Sequence, residues 1–147
     1  MDYRSLTKSL SALTDGVKNR ISNLANASAL LMQSLKDINW AGFYLLEEDV
    51  LQLGPFQGKP ACISIPMGKG VCGTAAIRDE VLVVPDVHSF EGHIACDPDS
   101  ASEIVVPLHK NGEVIGLLDI DSPVKNRFSN EDKLGLWMFA KALEAVI

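Results

Sequence analysis

Residues 103 to 121, EIVVPLHKNGEVIGLLDID, constrain the fold more than any other stretch. Two β-rich apolar segments flank Lys110-Asn111-Gly112, whose Asn-Gly pair suits the positive φ angles of a tight turn, so the segments are expected to form an antiparallel hairpin. A lone hairpin is not stable in water and needs further strands and covering helices. The sequence offers both. INWAGFYLL (38 to 46), VLQLGPF (50 to 56) and ACISIP (61 to 66) are short, β-rich and separated by turn formers, which reads as an antiparallel meander, and VLVVP (81 to 85) adds another strand. Residues 5 to 37 carry apolar positions at helical spacing, including Ile21, Leu24, Leu31 and Leu35, with a break at Asp15-Gly16. A short helix is expected over Val71 to Arg78, and a last one begins after the N-cap candidate Ser129, with Glu131 and Asp132 in its first turn. This order describes an α+β domain: a central antiparallel sheet of five to six strands flanked by N- and C-terminal helices. One domain is expected over residues 1–147, with helices in 1–37 and the sheet, a long loop and the last helix in 38–147.

Composition narrows the function. With 147 residues, 47% hydrophobic and 22% charged, the chain is of ordinary globular type. A net charge of −6 and scattered basic residues exclude a nucleic-acid footprint. No apolar run approaches a membrane span and the amphiphilic start lacks a signal-peptide core, so the expected location is the cytosol. There, permanent disulfides are disfavoured, and three cysteines cannot all pair within one chain. Core packing, metal binding and redox chemistry remain.

The second hairpin strand ends in acids. Asp119 and Asp121 project to one face by strand alternation, together with Ile115 and Leu117, while Val114, Leu118 and Ile120 take the other. Glu103 joins the acids or not according to register. A three-residue loop at Lys110-Asn111-Gly112 sets Glu103 opposite Asp119 on the same face; a two-residue loop sets it opposite Ile120 on the other. In the first case three carboxyl groups converge, and repulsion with partial burial raises at least one pKa, which makes a general acid. Solvated strand-end acids are the plainer alternative.

The cysteines differ in setting. Cys62 falls in an expected strand, Cys72 between glycines at the start of the short helix, and Cys96 in the aperiodic, Asp-rich loop of residues 86 to 102. A long loop with a polar, accessible thiol is where reactive cysteine chemistry is found, although Asp97, Asp99 and Glu103 disfavour its thiolate. A zinc site from Cys62, Cys72, Cys96 and His93 is the weaker reading, because no short Cys-x-x-Cys knuckle is present. His88, His93 and His109 are assigned no role.

The motifs NWAGFYLL, FQGKPACISIPMGKGVCGTAA, VPDVHSFEGHIACD and SEIVVPLHKNGEVIGLLDIDSP closely resemble those of the free methionine-(R)-sulfoxide reductases, which are GAF domains. The likeness runs from about residue 20 to the C-terminus and includes all three cysteines. It implies a GAF fold, with helices on one face of the sheet and a ligand pocket on the other. It further implies that Cys96 attacks the sulfoxide sulfur and becomes a sulfenic acid, that Cys62 captures it as a disulfide with Cys72 as a secondary resolving residue, and that thioredoxin, recharged by its reductase and NADPH, restores the thiols. Glu103, Asp119 and Asp121 would hold and protonate the sulfoxide oxygen, and Trp40 and Tyr44 would contact the substrate. No bound cofactor or metal is implied. The expected partners are free methionine sulfoxide, thioredoxin and, if the first helices pair, a second copy of the chain. A GAF module that binds a small molecule or senses redox state without turnover is the alternative.

Overall fold

The hairpin turn is type I′, for Asn111 and Gly112 have φ of 54° and 80°. It joins two long strands, of nine and ten residues, in a sheet that has six among the described residues. The computed structural model describes residues 1–94 and 96–147. Its strands are β1 (Trp40–Glu47), β2 (Val50–Gly58), β3 (Ser64–Pro66), β4 (Leu82–Val84), β5 (Ser102–Lys110) and β6 (Glu113–Ser122). They lie in the order β3-β2-β1-β6-β5-β4, and every neighbouring pair is antiparallel. Helices α1 (Tyr3–Thr14), α2 (Arg20–Ser34), α3 (Gly70–Arg78) and α4 (Asn130–Glu144) complete the α+β architecture.

The helices start and stop where local chemistry directs. Asn19 caps α2 by accepting from the Ser22 amide, and Ser129 forms a capping box with Asp132 at the start of α4. Between α1 and α2, Gly16 takes a left-handed φ of 72°. The Tyr3 hydroxyl donates to Asp132 at 2.6 Å and Arg127 pairs with the same carboxylate at 3.0 Å, so α1 is tied to the start of α4.

Alternation along the strands divides the interior into two cores. Ala41 and Phe43 of β1, Ile104, Val106 and Leu108 of β5, and Leu118 and Ile120 of β6 pack against α1, α2 and α4. Trp40, Tyr44, Val105 and Leu117 point the other way, toward α3, β3 and the loop after β4. Helices on one face and the pocket on the other match the expectation.

Register departs from both sequence alternatives. The turn has two residues, with Lys110 opposite Glu113, yet Glu103 pairs with Asp121 and not with Ile120. A β-bulge is the reason: His109 faces Val114 while Leu108 faces Gly116, so Ile115 is the extra residue in β6. The bulge sends Glu103 to the acidic face and moves Ile115 off it, to pack with the helical core. In β2, Pro55 falls at another irregularity, between Gly42–Phe56 and Tyr44–Leu53, where its missing N–H breaks no ladder bond.

Two further expectations are corrected. The strand expected over residues 61 to 66 exists only as Ser64–Pro66. Ala61 and Cys62 leave the ladder because Pro60 has no amide to donate and the Cys62 carbonyl is taken by the Tyr44 hydroxyl. The loop of residues 86 to 102 contains, among the described residues, one 3-10 turn, Val87–Ser89, and yields Ser102 to β5. Val87 anchors it, buried and donating its amide to the Ala101 carbonyl at 2.8 Å.

Candidate active site

The sheet face opposite the three long helices carries a pocket with about 50 Å³ open to the centre of a water molecule. Its walls come from β1, β5, β6, the start of α3 and the segment around Cys96. Trp40 and Tyr44 lie on this side of β1 by strand alternation and form an apolar wall, ring centroids 6.1 Å apart. Trp40 also stacks on Phe56, with centroids 5.2 Å apart. Each ring has its polar atom satisfied: Trp40 Nε1 donates to the Lys59 carbonyl at 3.1 Å, and the Tyr44 hydroxyl donates to the Cys62 carbonyl at 2.8 Å. Both aromatics therefore hold the backbone that carries Cys62.

The bulged hairpin delivers the acids to the same sheet face beside the aromatics, with Asp121 the cross-strand partner of Trp40. Glu103 and Asp121 are directly paired across β5 and β6, with Asp119 next on the same face. Glu103 and Asp119 are buried, and Asp119 Oδ1 has no hydrogen-bond partner among the described residues. Burial, then the charges of Asp121 and Glu103, push the Asp119 carboxyl well above the usual carboxylate range. Asp121 is raised in the same way, by burial first and then by Glu103. These groups hold protons that a solvated acid would have lost. An acid that keeps its proton beside a pocket can give it to a bound oxygen.

Cys72, in the first turn of α3, reaches the same corner. Its thiol donates to Glu103 Oε2 at 3.7 Å, and burial, then Asp119, push its pKa up. It is the free cysteine. Cys72 Sγ and one oxygen each of Glu103 and Asp119 lie within 4.8 Å of one another.

Cys62 and Cys96 form a disulfide, with Cα atoms 5.5 Å apart. Cys96 faces the pocket and Cys62 stands outside its lining, so a ligand meets Cys96 first. Bonded to each other, the two sulfurs are not available as metal ligands, and the set Cys62, Cys72, Cys96 and His93 is not assembled in this state. An ion pair of 2.6 Å between Lys59 and Asp99 spans the same two segments, but it is exposed and contributes little.

All eight residues singled out in the sequence meet here: seven line the pocket and Cys62 is bonded to one of them. Sequence reasoning missed Lys69, His93, Ile94, Asp97 and Ser100, which also line it. Asp97 is the most telling of these, since its Oδ2 is buried without a partner while Oδ1 accepts from the Asp99 amide. The signal available was Asp-Pro-Asp within the long loop, which had been weighed only for its effect on Cys96.

Known proteins share the fold and much of the sequence. The GAF domain family matches residues 9–147. The chain is 55% identical over 145 residues to the free methionine-R-sulfoxide reductase of Escherichia coli K12, covering 99% of this chain and 88% of that one. The structure of fRMsr of Staphylococcus aureus in complex with substrate superposes with a TM-score of 0.94 at 51% identity, covering 99% of this chain and 95% of that one. The free methionine-R-sulfoxide reductase of Neisseria meningitidis in complex with its substrate gives 0.95 at 42% identity, covering 98% of this chain and 87% of that one. The chain belongs to the GAF-domain family of free methionine-R-sulfoxide reductases.

Proposed function

We propose that this chain reduces free L-methionine (R)-sulfoxide to L-methionine, with Cys96 as nucleophile, Cys62 as resolving residue and a dithiol protein such as thioredoxin as electron donor. The observation that carries the reading is the convergence of a redox-active pair and a proton-holding acid cluster on one small pocket. Relatives whose names and substrate complexes refer to this reaction support it.

The chemistry balances as follows. The Cys96 thiolate attacks the sulfoxide sulfur while a carboxylic acid of the Asp119, Asp121 and Glu103 cluster protonates the oxygen. The S–O bond to methionine then breaks and the released hydroxide attacks Cys96 Sγ; as that S–O bond forms, the transient Cys96–methionine S–S bond breaks with its electron pair going to methionine, which departs as a thioether and leaves Cys96 as a sulfenic acid, oxidised by two electrons. The Cys62 thiolate then attacks Cys96 Sγ and expels hydroxide, which leaves as water, and the disulfide forms. A dithiol donor exchanges with that disulfide, becoming oxidised itself and returning both thiols. Cys72 is the slower partner, because burial and neighbouring acids disfavour its thiolate.

Selectivity for the free amino acid follows from the walls. Trp40 and Tyr44 receive the apolar end of the substrate, while Asp97 and Lys69 offer opposite charges to its ammonium and carboxylate. Among the described residues no helix is long and apolar enough to cross a membrane, and a reducing compartment supplies the electron donor the cycle needs.

The test is a chiral amino-acid assay. Reduced protein is given racemic free methionine sulfoxide with thioredoxin, its reductase and NADPH, and each epimer is followed. Selective loss of the R form that disappears in Cys96→Ser supports the proposal; consumption of neither epimer, or equal consumption by Cys96→Ser, refutes it.

A further inference from the structure

We propose that the acidic end of the pocket is also a site for a borderline-soft divalent cation of the zinc type, held by Cys72, Glu103 and Asp119. The chain forms it in its oxidised state, while the Cys62–Cys96 disulfide is closed.

Geometry is the first argument. Zinc takes thiolate sulfur at about 2.3 Å and carboxylate oxygen at about 2.1 Å in a tetrahedron, which sets the sulfur-to-oxygen edge at roughly 3.6 Å. Cys72 Sγ and Glu103 Oε2 are 3.7 Å apart. The Asp119 oxygen closes the triangle with every separation within 4.8 Å, so side-chain adjustments of about 1 Å complete three tetrahedral edges.

Asp119 Oδ1 supplies an independent argument. This residue is 5% exposed, and the atom has no hydrogen-bond partner among the described residues. Buried carboxylate oxygens are normally satisfied, so an orphan on a residue of this cluster marks a place where a cation gains more than it loses.

The ligand set suits the ion. One thiolate with two carboxylates falls between hard oxygen cages and all-sulfur sites, matching zinc and cobalt better than calcium or magnesium. The three ligands come from three elements, α3, β5 and β6, and the fourth position faces the pocket, where water or another ligand completes the shell. On binding, the cation replaces the thiol hydrogen between Cys72 and Glu103 and the proton carried by the Asp119 carboxyl, and both protons pass to solvent. No oxidation is involved. Because the ion occupies the corner in which the sulfoxide oxygen is to be protonated, metal and substrate exclude each other. This last point rests on the proposed function; the metal site itself does not.

The experiment uses the full chain oxidised to its disulfide, so that Cys72 is the thiol left to bind metal. Titration with Co²⁺ is expected to give an intense near-ultraviolet sulfur-to-cobalt absorption, which added Zn²⁺ abolishes at about one equivalent per chain. Cys72→Ser should lose the band, and both Cys72→Ser and Asp119→Asn should weaken Zn²⁺ binding at least tenfold by calorimetry. Circular dichroism of both variants confirms that they are folded. Absence of a sulfur band at saturating Co²⁺, a band that survives Cys72→Ser, or Zn²⁺ affinity unchanged in Asp119→Asn would overturn the site. Free methionine sulfoxide should lower the apparent Zn²⁺ affinity of the wild-type chain; a metal that binds through Cys72 without such competition would overturn the mutual exclusion of metal and substrate and leave the metal site standing. If the protein binds Zn²⁺ through Cys72 yet never reduces the sulfoxide, the proposed function fails and the metal site stands.

Discussion

Reducing the Cys62–Cys96 bridge should lower the stability of the folded chain by an amount that its position in the sequence sets. The two residues are 34 apart, and the closed segment holds β3, α3 and β4. By the chain-entropy relation, closing a loop of that size removes about 13 cal/mol/K from the unfolded ensemble, roughly 3.8 kcal/mol at 25 °C. Unfolding entropy near 2.1 cal/mol/K per residue gives about 310 cal/mol/K for the whole chain, so the melting temperature should fall by about 12 °C on reduction. The same free energy, applied to a two-electron couple, makes the bridge about 80 mV harder to reduce in the folded protein than in the unfolded chain. Urea and thermal melts of oxidised and dithiothreitol-reduced protein, followed by circular dichroism, measure the gap. Cys62→Ser should melt like the reduced form whether or not reductant is present. A gap below about 1 kcal/mol, or one of opposite sign, would mean that closing the loop costs the native state as much as it removes from the unfolded one, and the entropic reasoning would be refuted.

Other outcomes are equally concrete. Cys62→Ser should release one methionine per chain in a burst and then stall with thioredoxin as donor, and quench-flow counting of methionine checks it; sustained turnover would contradict the resolving role. Asp119→Asn should slow the single-turnover step by about 10²- to 10⁴-fold with the thiols intact, and should remove the loss of rate at high pH that comes from ionising the proton donor. The raised carboxyls also govern stability against pH. Asp119 and Asp121 keep protons in the folded state that they lose at about pH 4 when unfolded, so stability falls as pH rises from the unfolded value through the raised folded one and is level above it. Urea midpoints across pH should show this decline, and Asp119→Asn should flatten it. Tyr3→Phe removes one donor to the Asp132 carboxylate and should cost about 1.5–3 kcal/mol in urea unfolding without changing the rate of sulfoxide reduction, since it lies on the helical side of the sheet.

What could be read from the sequence follows its periodicities. The hairpin, the capped last helix and the placement of Trp40 and Tyr44 on one face depend on local turn chemistry and strand alternation, and these were legible. The convergence of Glu103 with the aspartates was legible only as a choice between two registers. The structure reaches the convergent face by a route neither contained, because the Ile115 bulge breaks the assumption of an uninterrupted ladder. Cys62 was misplaced in a strand for a related reason. Its β-rich neighbours favour extension, but the Tyr44 hydroxyl and the bond to Cys96 are long-range partners that local propensity does not register. Lys69, His93 and Asp97 were given no place in a ligand pocket because residues in loops acquire a common pocket only after the sheet has folded.

The two-sided hairpin has a consequence for the acids it carries. Asp119 lies between Leu118 and Ile120, both completely buried in the core beneath α1, α2 and α4, and Glu103 is followed by the equally buried Ile104. The backbone from which the carboxyl groups project is thus clamped on its far side by the most tightly packed part of the molecule. Like charges on a pliant loop relieve their repulsion by drifting apart. On this sheet that escape is closed, and crowding is answered by taking up hydrogen ions instead. The wall of the pocket behaves as a stiff proton store, filled by the way the opposite side of the protein is packed.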